Sequence, residues 1–170
     1  MGMGIGIGID LSGVGLAGGG ACVPIDQIDG VVAQGSTFTH LANGVIAMTA
    51  TTLGSTSSNV RFRIQDANNY WRLAWDNTGL FSLLEYVAGS PTTRASAAGV
   101  VQAGHRIAVL FNGTTITGYS NGVQRWTYAN AANFATETDG LVFFLGTGGA
   151  ISDLSTWTPG CLAAAMITPS

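Results

Sequence analysis

The sequence predicts an all-β fold, an antiparallel two-sheet sandwich with an extended Gly-rich N-terminal arm. Three observations carry that expectation. From about residue 22 onward, short runs of alternating apolar and polar residues recur, the period-2 pattern of strands buried on one face. Turn residues separate the runs, and Asn112-Gly113 and Asn121-Gly122 are two-residue hairpin signals. No stretch carries the helical period that a crossover between parallel strands needs, which excludes an α/β layout. Two antiparallel sheets packed face to face are the economical arrangement for such strands. The 170 residues fit one domain, long enough to bury a core without needing disulfides or a metal.

The elements follow in order. Residues 1–21 form the expected arm. Met1, Met3, Ile5, Ile7 and Ile9 alternate with glycine, and Leu11 continues the apolar set. In an extended chain one face is then apolar and the other bare backbone, open to close approach by another surface. A leader of biased composition without fixed structure is the competing reading. Gly18-Gly19-Gly20 ends the arm. The expected division is an arm over 1–21, a sandwich over 22–160 and a C-terminal tail over 161–170.

Val45–Thr52 is the first clear strand. In Asn59–Gln65, Val60, Phe62 and Ile64 point one way, and Arg61, Arg63 and Gln65 the other. Asp66-Ala67-Asn68-Asn69 turns the chain, since Asp and Asn bond locally and tolerate turn angles. The return run places Trp71, Leu73 and Trp75 on the apolar face and Tyr70, Arg72 and Asp76 on the other. Strands follow at Leu80–Val87, Thr92–Ala98 (a polar edge), Arg106–Phe111, Thr115–Ser120 and Val123–Tyr128. Residues 129–139 read as a loop with a short helix around Ala131–Phe134. Leu141–Leu145 and Ile151–Trp157 close the domain.

Composition limits function. Charged residues are 9% of the chain, with a net charge of −3 and no lysine, against roughly 25% charged in ordinary domains. Such a surface suits a secreted or assembled protein, and low charge removes repulsion between copies, pointing to a homo-oligomer or larger assembly. The six arginines form no basic stripe, so nucleic acid is not an expected partner. No spanning segment and no secretory leader are read in the first residues. Cys22 and Cys161 lie near opposite ends of the domain. A disulfide is open to them if first and last strands are neighbours, and two small buried hydrophobes is the other reading. No metal-ligand spacing and no phosphate or dinucleotide loop occurs, so no cofactor is expected. His40 and His105 sit in no recognisable triad; His40 reads as a polar strand position and His105 as a turn residue.

A sugar site pairs an aromatic platform with hydrogen-bonding groups, because a pyranose has an apolar face and polar edges. Tyr70, Tyr86, Tyr119, Trp126 and Tyr128 are available. Trp126 and Tyr128 share a strand face, with Gln124 beside them, so Tyr119, Gln124, Trp126 and Tyr128 are the candidate glycan contacts. The alternative for Trp126 is a place in the core with Trp71, Trp75 and Trp157.

The stretch Phe62-Arg63-Ile64-Gln65-Asp66-Ala67-Asn68-Asn69-Tyr70-Trp71-Arg72-Leu73 resembles the central hairpin of concanavalin A-like domains of the laminin G-like branch. The runs Arg106-Ile107-Ala108-Val109, Ile116-Thr117-Gly118-Tyr119 and Asn121-Gly122-Val123 follow in the same order. The resemblance spans about residues 30–158 and implies a jelly-roll sandwich of a fold that serves lectins, glucanases, receptor modules and virion proteins. The glucanase branch needs clustered carboxylates. Glu85 and Glu137 are far apart with no acidic neighbour, so no catalytic residues are expected. Calcium ligands would have to come from Asp66, Asn68, Asp76 and Asn77, which turn formation explains better. The Gly/Ile leader is similar to N-termini of small bacteriophage structural proteins. The expected function is therefore a non-enzymatic virion protein, in capsid decoration or a tail, docking on other virion proteins through residues 1–20. The alternative is a carbohydrate-binding module of a bacterial secreted or surface protein.

Overall fold

The computed structural model describes residues 21–167. The expected arm contacts Met1, Met3, Ile5, Ile7, Ile9 and Leu11 lie outside them. The described residues form strands β1 (Asp26–Val32), β2 (Thr37–Thr39), β3 (Gly44–Thr52), β4 (Ser58–Asp66), β5 (Asn69–Trp75) and β6 (Phe81–Val87). They continue with β7 (Ser90–Ala97), β8 (His105–Asn112), β9 (Thr115–Ser120), β10 (Val123–Tyr128), β11 (Asp139–Phe144) and β12 (Ala150–Trp157). A single 3₁₀ turn (Pro159–Cys161) and helix α1 (Leu162–Ala165) follow.

Two antiparallel six-stranded sheets result. The first runs β1-β12-β3-β8-β9-β10 and the second β2-β11-β4-β5-β6-β7. The core between them holds Ile46, Met48, Phe62, Trp71, Leu73, Trp75, Phe81, Ile107, Val109 and Phe111, all buried. These are the inward positions of alternating strands, so the sandwich follows from the sequence pattern. The hairpins turning at residues 66–69, 112–115 and 120–123 fall where the turn residues place them.

The departures have local causes. Strand β1 has no clear alternation because it is a sheet edge whose pairing slips between Ile28 and Val31. There Gly30 takes φ +67 and its N–H donates to Asp153 Oδ1 at 2.9 Å. No helix forms over Ala131–Phe134: residues 133–136 turn instead, and Ala131 is buried with its N–H on the Thr114 carbonyl at 2.8 Å.

The alternation of β4 breaks at Arg63. Three residues, 63 to 65, lie opposite the single residue Tyr70, between the pairs Phe62↔Trp71 and Asp66↔Asn69. Arg63 adopts φ +48 and turns inward, while Ile64 is left part-exposed. A bulge of this kind moves side chains between faces. The Arg63 guanidinium, 0% exposed, donates to the carbonyls of Ala42 (2.8 Å), Gly113 (3.1 Å) and Ala131 (3.3 Å). Desolvation pushes its pKa down to about 10.

His40 is also buried, with ring neighbours Phe62 and Phe111. Its Nδ1–H donates to the Leu41 carbonyl (2.9 Å), and its Nε2 accepts the Arg63 backbone N–H (3.1 Å). Burial holds its pKa below the ordinary 6.5, the nearby Arg63 charge adding to the effect.

Residues 161–166 of the expected tail over 161–170 pack on the sandwich, and residues 168–170 lie outside the described residues. Ala165 of α1 lies against Val45, Ala47 and Ala108 on the outer face of the first sheet. Buried Arg106 holds this layer: Nε donates to the Ala165 carbonyl (2.9 Å), Nη1 to that of Asp153 (2.5 Å) and Nη2 to Ser155 Oγ (2.8 Å). Cys22 and Cys161 form a disulfide, with 5.6 Å between Cα atoms and 139 residues between them in sequence. The bridge ties the chain ahead of β1 to the turn after β12, two strands that are paired.

Two stability tests follow. A bridge that closes so long a loop constrains the unfolded chain strongly, so Cys161→Ser should cost about 2–5 kcal/mol in chemical denaturation; an unchanged midpoint would show the bridge to be thermodynamically idle. Because the folded pKa of His40 lies below its unfolded value, the unfolded chain takes up the proton first as pH falls. Stability is therefore full above about pH 6.5 and declines as pH drops from there toward the folded pKa. Urea midpoints from about pH 7.5 to 5.5 check this: His40→Gln should flatten the slope, and a wild-type profile already flat would exclude the effect.

Candidate functional site: the outer face of the second sheet

The turn at residues 66–69 fixes the β4–β5 register, and that register builds the site. Arg61 lies directly opposite Arg72, Arg72 opposite Leu84 and Tyr70 opposite Tyr86. Their partners in the alternation, Phe62, Trp71, Leu73 and Leu83, fill the core, so these residues stand on the outer face.

There they form a stacked ladder across four strands. The Arg61 guanidinium lies between two rings, 3.2 Å from the centroid of Phe143 on β11 and 4.1 Å from that of Tyr70. Tyr70 stacks on Tyr86 with centroids 4.5 Å apart and planes 15° apart. Arg72 Nη1 donates to Tyr86 Oη at 2.7 Å. Stacking of a planar cation on ring faces is favourable and holds the guanidinium rigid. Desolvation lowers the pKa of Arg61, the neighbouring Arg72 charge acting in the same direction, and desolvation raises that of Tyr70. Phe143 is 41% exposed, and Tyr86 and Leu84 are half-buried.

A depression of about 230 Å³ adjoins the ladder, lined by Arg72, Ser57, Asp76, Ser82, Leu84 and Thr93 among others. Hydroxyls, a guanidinium and apolar side chains therefore meet along one open face. The Oδ1 of Asp76 is committed to its own turn, accepting from the N–H groups of Thr78 (2.9 Å) and Leu80 (3.2 Å). Asp66 likewise accepts from the Asn68 N–H at 2.7 Å and from Asn69 Nδ2 at 2.8 Å, so both carboxylates serve turns. A larger depression of about 460 Å³ lies at the β2–β11 edge, between Asp26, Phe38, Ile64 and Asp139. Its Asp26 Oδ2 already accepts the Thr39 N–H at 2.8 Å, and Phe38 is buried, so that edge presents no ring to a ligand.

The structure divides the expected contact set Tyr119, Gln124, Trp126 and Tyr128 between two faces. The β9–β10 register shifts between Gln124 and Trp126, so Arg125 is an extra residue and the strand reverses its facing there. Gln124 stays outside opposite Tyr119 and donates to Thr127 Oγ1 at 3.0 Å. Trp126 turns into the core against Phe81, 7% exposed. Its ring fills the space over Gly118, where an added Cβ would lie 2.3 Å away. Tyr128 also joins the core margin, beside Trp71. Trp157 leaves the core as well and packs among the helix contacts on the first sheet. Tyr70 and Tyr86 were legible as available aromatics. Arg61 and Phe143 were not singled out, although the opposition of Arg61 and Arg72 follows from counting back from the turn.

Glu85 faces inward, 3% exposed, and is paired with Arg94 at 2.5 Å. Asn133 Nδ2 donates to its other oxygen at 2.7 Å, and the Asn133 carbonyl accepts from Trp71 Nε1 at 2.9 Å. Glu85 thus anchors the loop over residues 129–138.

No family model matches the sequence, and no curated protein matches it. Solved structures do match in fold. A carbohydrate-binding module, CBM40, of the Ruminococcus gnavus IT-sialidase, bound to alpha2,3 sialyllactose, gives a TM-score of 0.59 at 13% identity, covering 85% of this chain and 100% of its own. Galectin LEC-6 of Caenorhabditis elegans gives 0.58 at 10% identity, covering 76% of this chain and 94% of that one. Sheep galectin-11 gives 0.56 at 9% identity, over 74% and 98%. The chain shares the fold of these structures, an antiparallel two-sheet sandwich consistent with the jelly-roll class.

The division of faces has a direct test. Trp126→Ala should destabilise the fold by about 3–5 kcal/mol, as loss of a core tryptophan does. A small loss in a denaturation experiment would instead place the ring on the surface.

Proposed function

We propose that this protein is a non-enzymatic carbohydrate-binding module that holds its glycan on the outer face of the second sheet. The observation that carries the reading is the ladder Phe143–Arg61–Tyr70–Tyr86 beside a depression lined with hydroxyls. A sugar ring laid on the exposed part of Tyr86 buries its apolar face while Arg72, Ser82 and Thr93 meet its hydroxyls, and a further sugar of the glycan reaches Phe143, three strands away. Backbone in a sheet fixes these groups without an ordering cost at binding. The likeness in fold to galectins and to a carbohydrate-binding module bound to sialyllactose supports the reading. It favours the alternative, a secreted or surface module, over a virion component. The Cys22–Cys161 bridge fits an oxidising, extracellular setting. Glu85 is committed to Arg94 and Asn133, which leaves it no role as an acid or nucleophile.

A glycan array followed by calorimetry on the full chain tests this. Tyr86→Ala and Phe143→Ala should each weaken binding by roughly tenfold, about 1.4 kcal/mol, with little change in melting temperature. Binding unaffected by both variants would move the site elsewhere, and an array without any hit would remove the reading.

A further inference from the structure

Two arginines on this face stand side by side without a carboxylate partner. Apart from two histidines, the basic side chains of the protein are six arginines. Arg63 and Arg106 are spent on buried carbonyls and Arg94 on Glu85. Arg125 reaches the Ser120 carbonyl at 3.5 Å. Arg61 and Arg72 remain, directly opposite each other on neighbouring strands, where like charges repel. Among the described residues the ion pair found is Arg94–Glu85, and neither Arg61 nor Arg72 has a carboxylate partner. Rings cover both faces of the Arg61 guanidinium, so its donors are left to the edge. Arg72 uses one donor on Tyr86, a neutral hydroxyl.

We infer that the glycan held on this face carries an anionic group, a carboxylate or a sulfate on a sugar, received between Arg61 and Arg72. The inference rests on the reading of this face as the glycan site. An anion there relieves the repulsion of the pair and takes charge-assisted hydrogen bonds from guanidinia that stacking has already ordered. Asp76 lines the same depression as Arg72, and its Oδ1 is taken up by the N–H groups of Thr78 and Leu80.

Calorimetry of the full chain with lactose, 3′-sialyllactose and 3′-sulfolactose distinguishes the cases. The acidic sugars should bind roughly 10–100-fold tighter than lactose, and the preference should shrink as sodium chloride is raised. The arm that gains more, sialyl or sulfo, identifies the group. Arg72→Gln should bring the acidic sugars down to the affinity that lactose shows for the same variant, while the melting temperature holds; Arg61→Gln serves as a second variant if Arg72→Gln fails to fold. Equal binding of all three sugars, lost in Tyr86→Ala, would overturn the anionic ligand and leave the glycan site standing. No binding of any of them, with no hit on the array, would overturn both.

Discussion

The guanidinium of Arg63 sits buried at one end of the sandwich and donates to the carbonyls of Ala42, Gly113 and Ala131. These belong to three different connections: the one before β3, the β8–β9 turn and the loop after β10. The residue itself stands on the second sheet, so one side chain gathers loops from the first sheet onto it. Burying a charge without a counter-ion costs several kcal/mol. Three charge-assisted hydrogen bonds and the nearby Phe111 ring, 5.1 Å away, offset that cost. Arginine suits the position because its planar fork reaches separate acceptors and it keeps its proton even with a pKa near 10.

The bulge that turns Arg63 inward also fixes what remains on the outside. Up to Phe62 the strand keeps its alternation, and Arg61 stays on the outer face between Phe143 and Tyr70. Beyond it, Ile64 reaches the edge depression instead of the core. The same strand thus supplies a structural cation and a surface cation two residues apart, with opposite facing. The rest of the arginines divide in the same manner: Arg106 binds the terminal helix to the first sheet, Arg94 neutralises Glu85, and Arg72 stands beside Arg61. With so few charges, most are committed to the fold, and the outer-face pair stands apart from these uses.

The hairpin from Asn59 to Trp75 was legible because Val60, Phe62, Trp71, Leu73 and Trp75 alternate cleanly and Asp66 to Asn69 can only turn. The candidate site was legible in part. Tyr70 and Arg72 follow from the polar face of that pattern, while Tyr86, on a strand apolar on both sides, was readable only as an available aromatic. The set around Trp126 failed at a bulge: one extra residue, Arg125, changes the facing of everything after it, and no residue type in Gln124-Arg125-Trp126 announces it. Arg63 misled for the same reason, since its φ of +48 is a tertiary choice at a non-glycine residue. The edge strand β1 lacked a pattern because its burial is irregular.

By itself the sequence determined the class of fold. Period-2 burial and tight-turn residues are local properties, and they leave a two-sheet sandwich as the arrangement that hides the apolar face of every strand. The tertiary structure decided facing and neighbourhood: the reversal at Arg125, the inward turn of Arg63, the pairing of Cys22 with Cys161 and the stacking of Phe143, Arg61, Tyr70 and Tyr86. Strand order and register set those relations, and both depend on contacts between residues far apart in the chain, which no local pattern records.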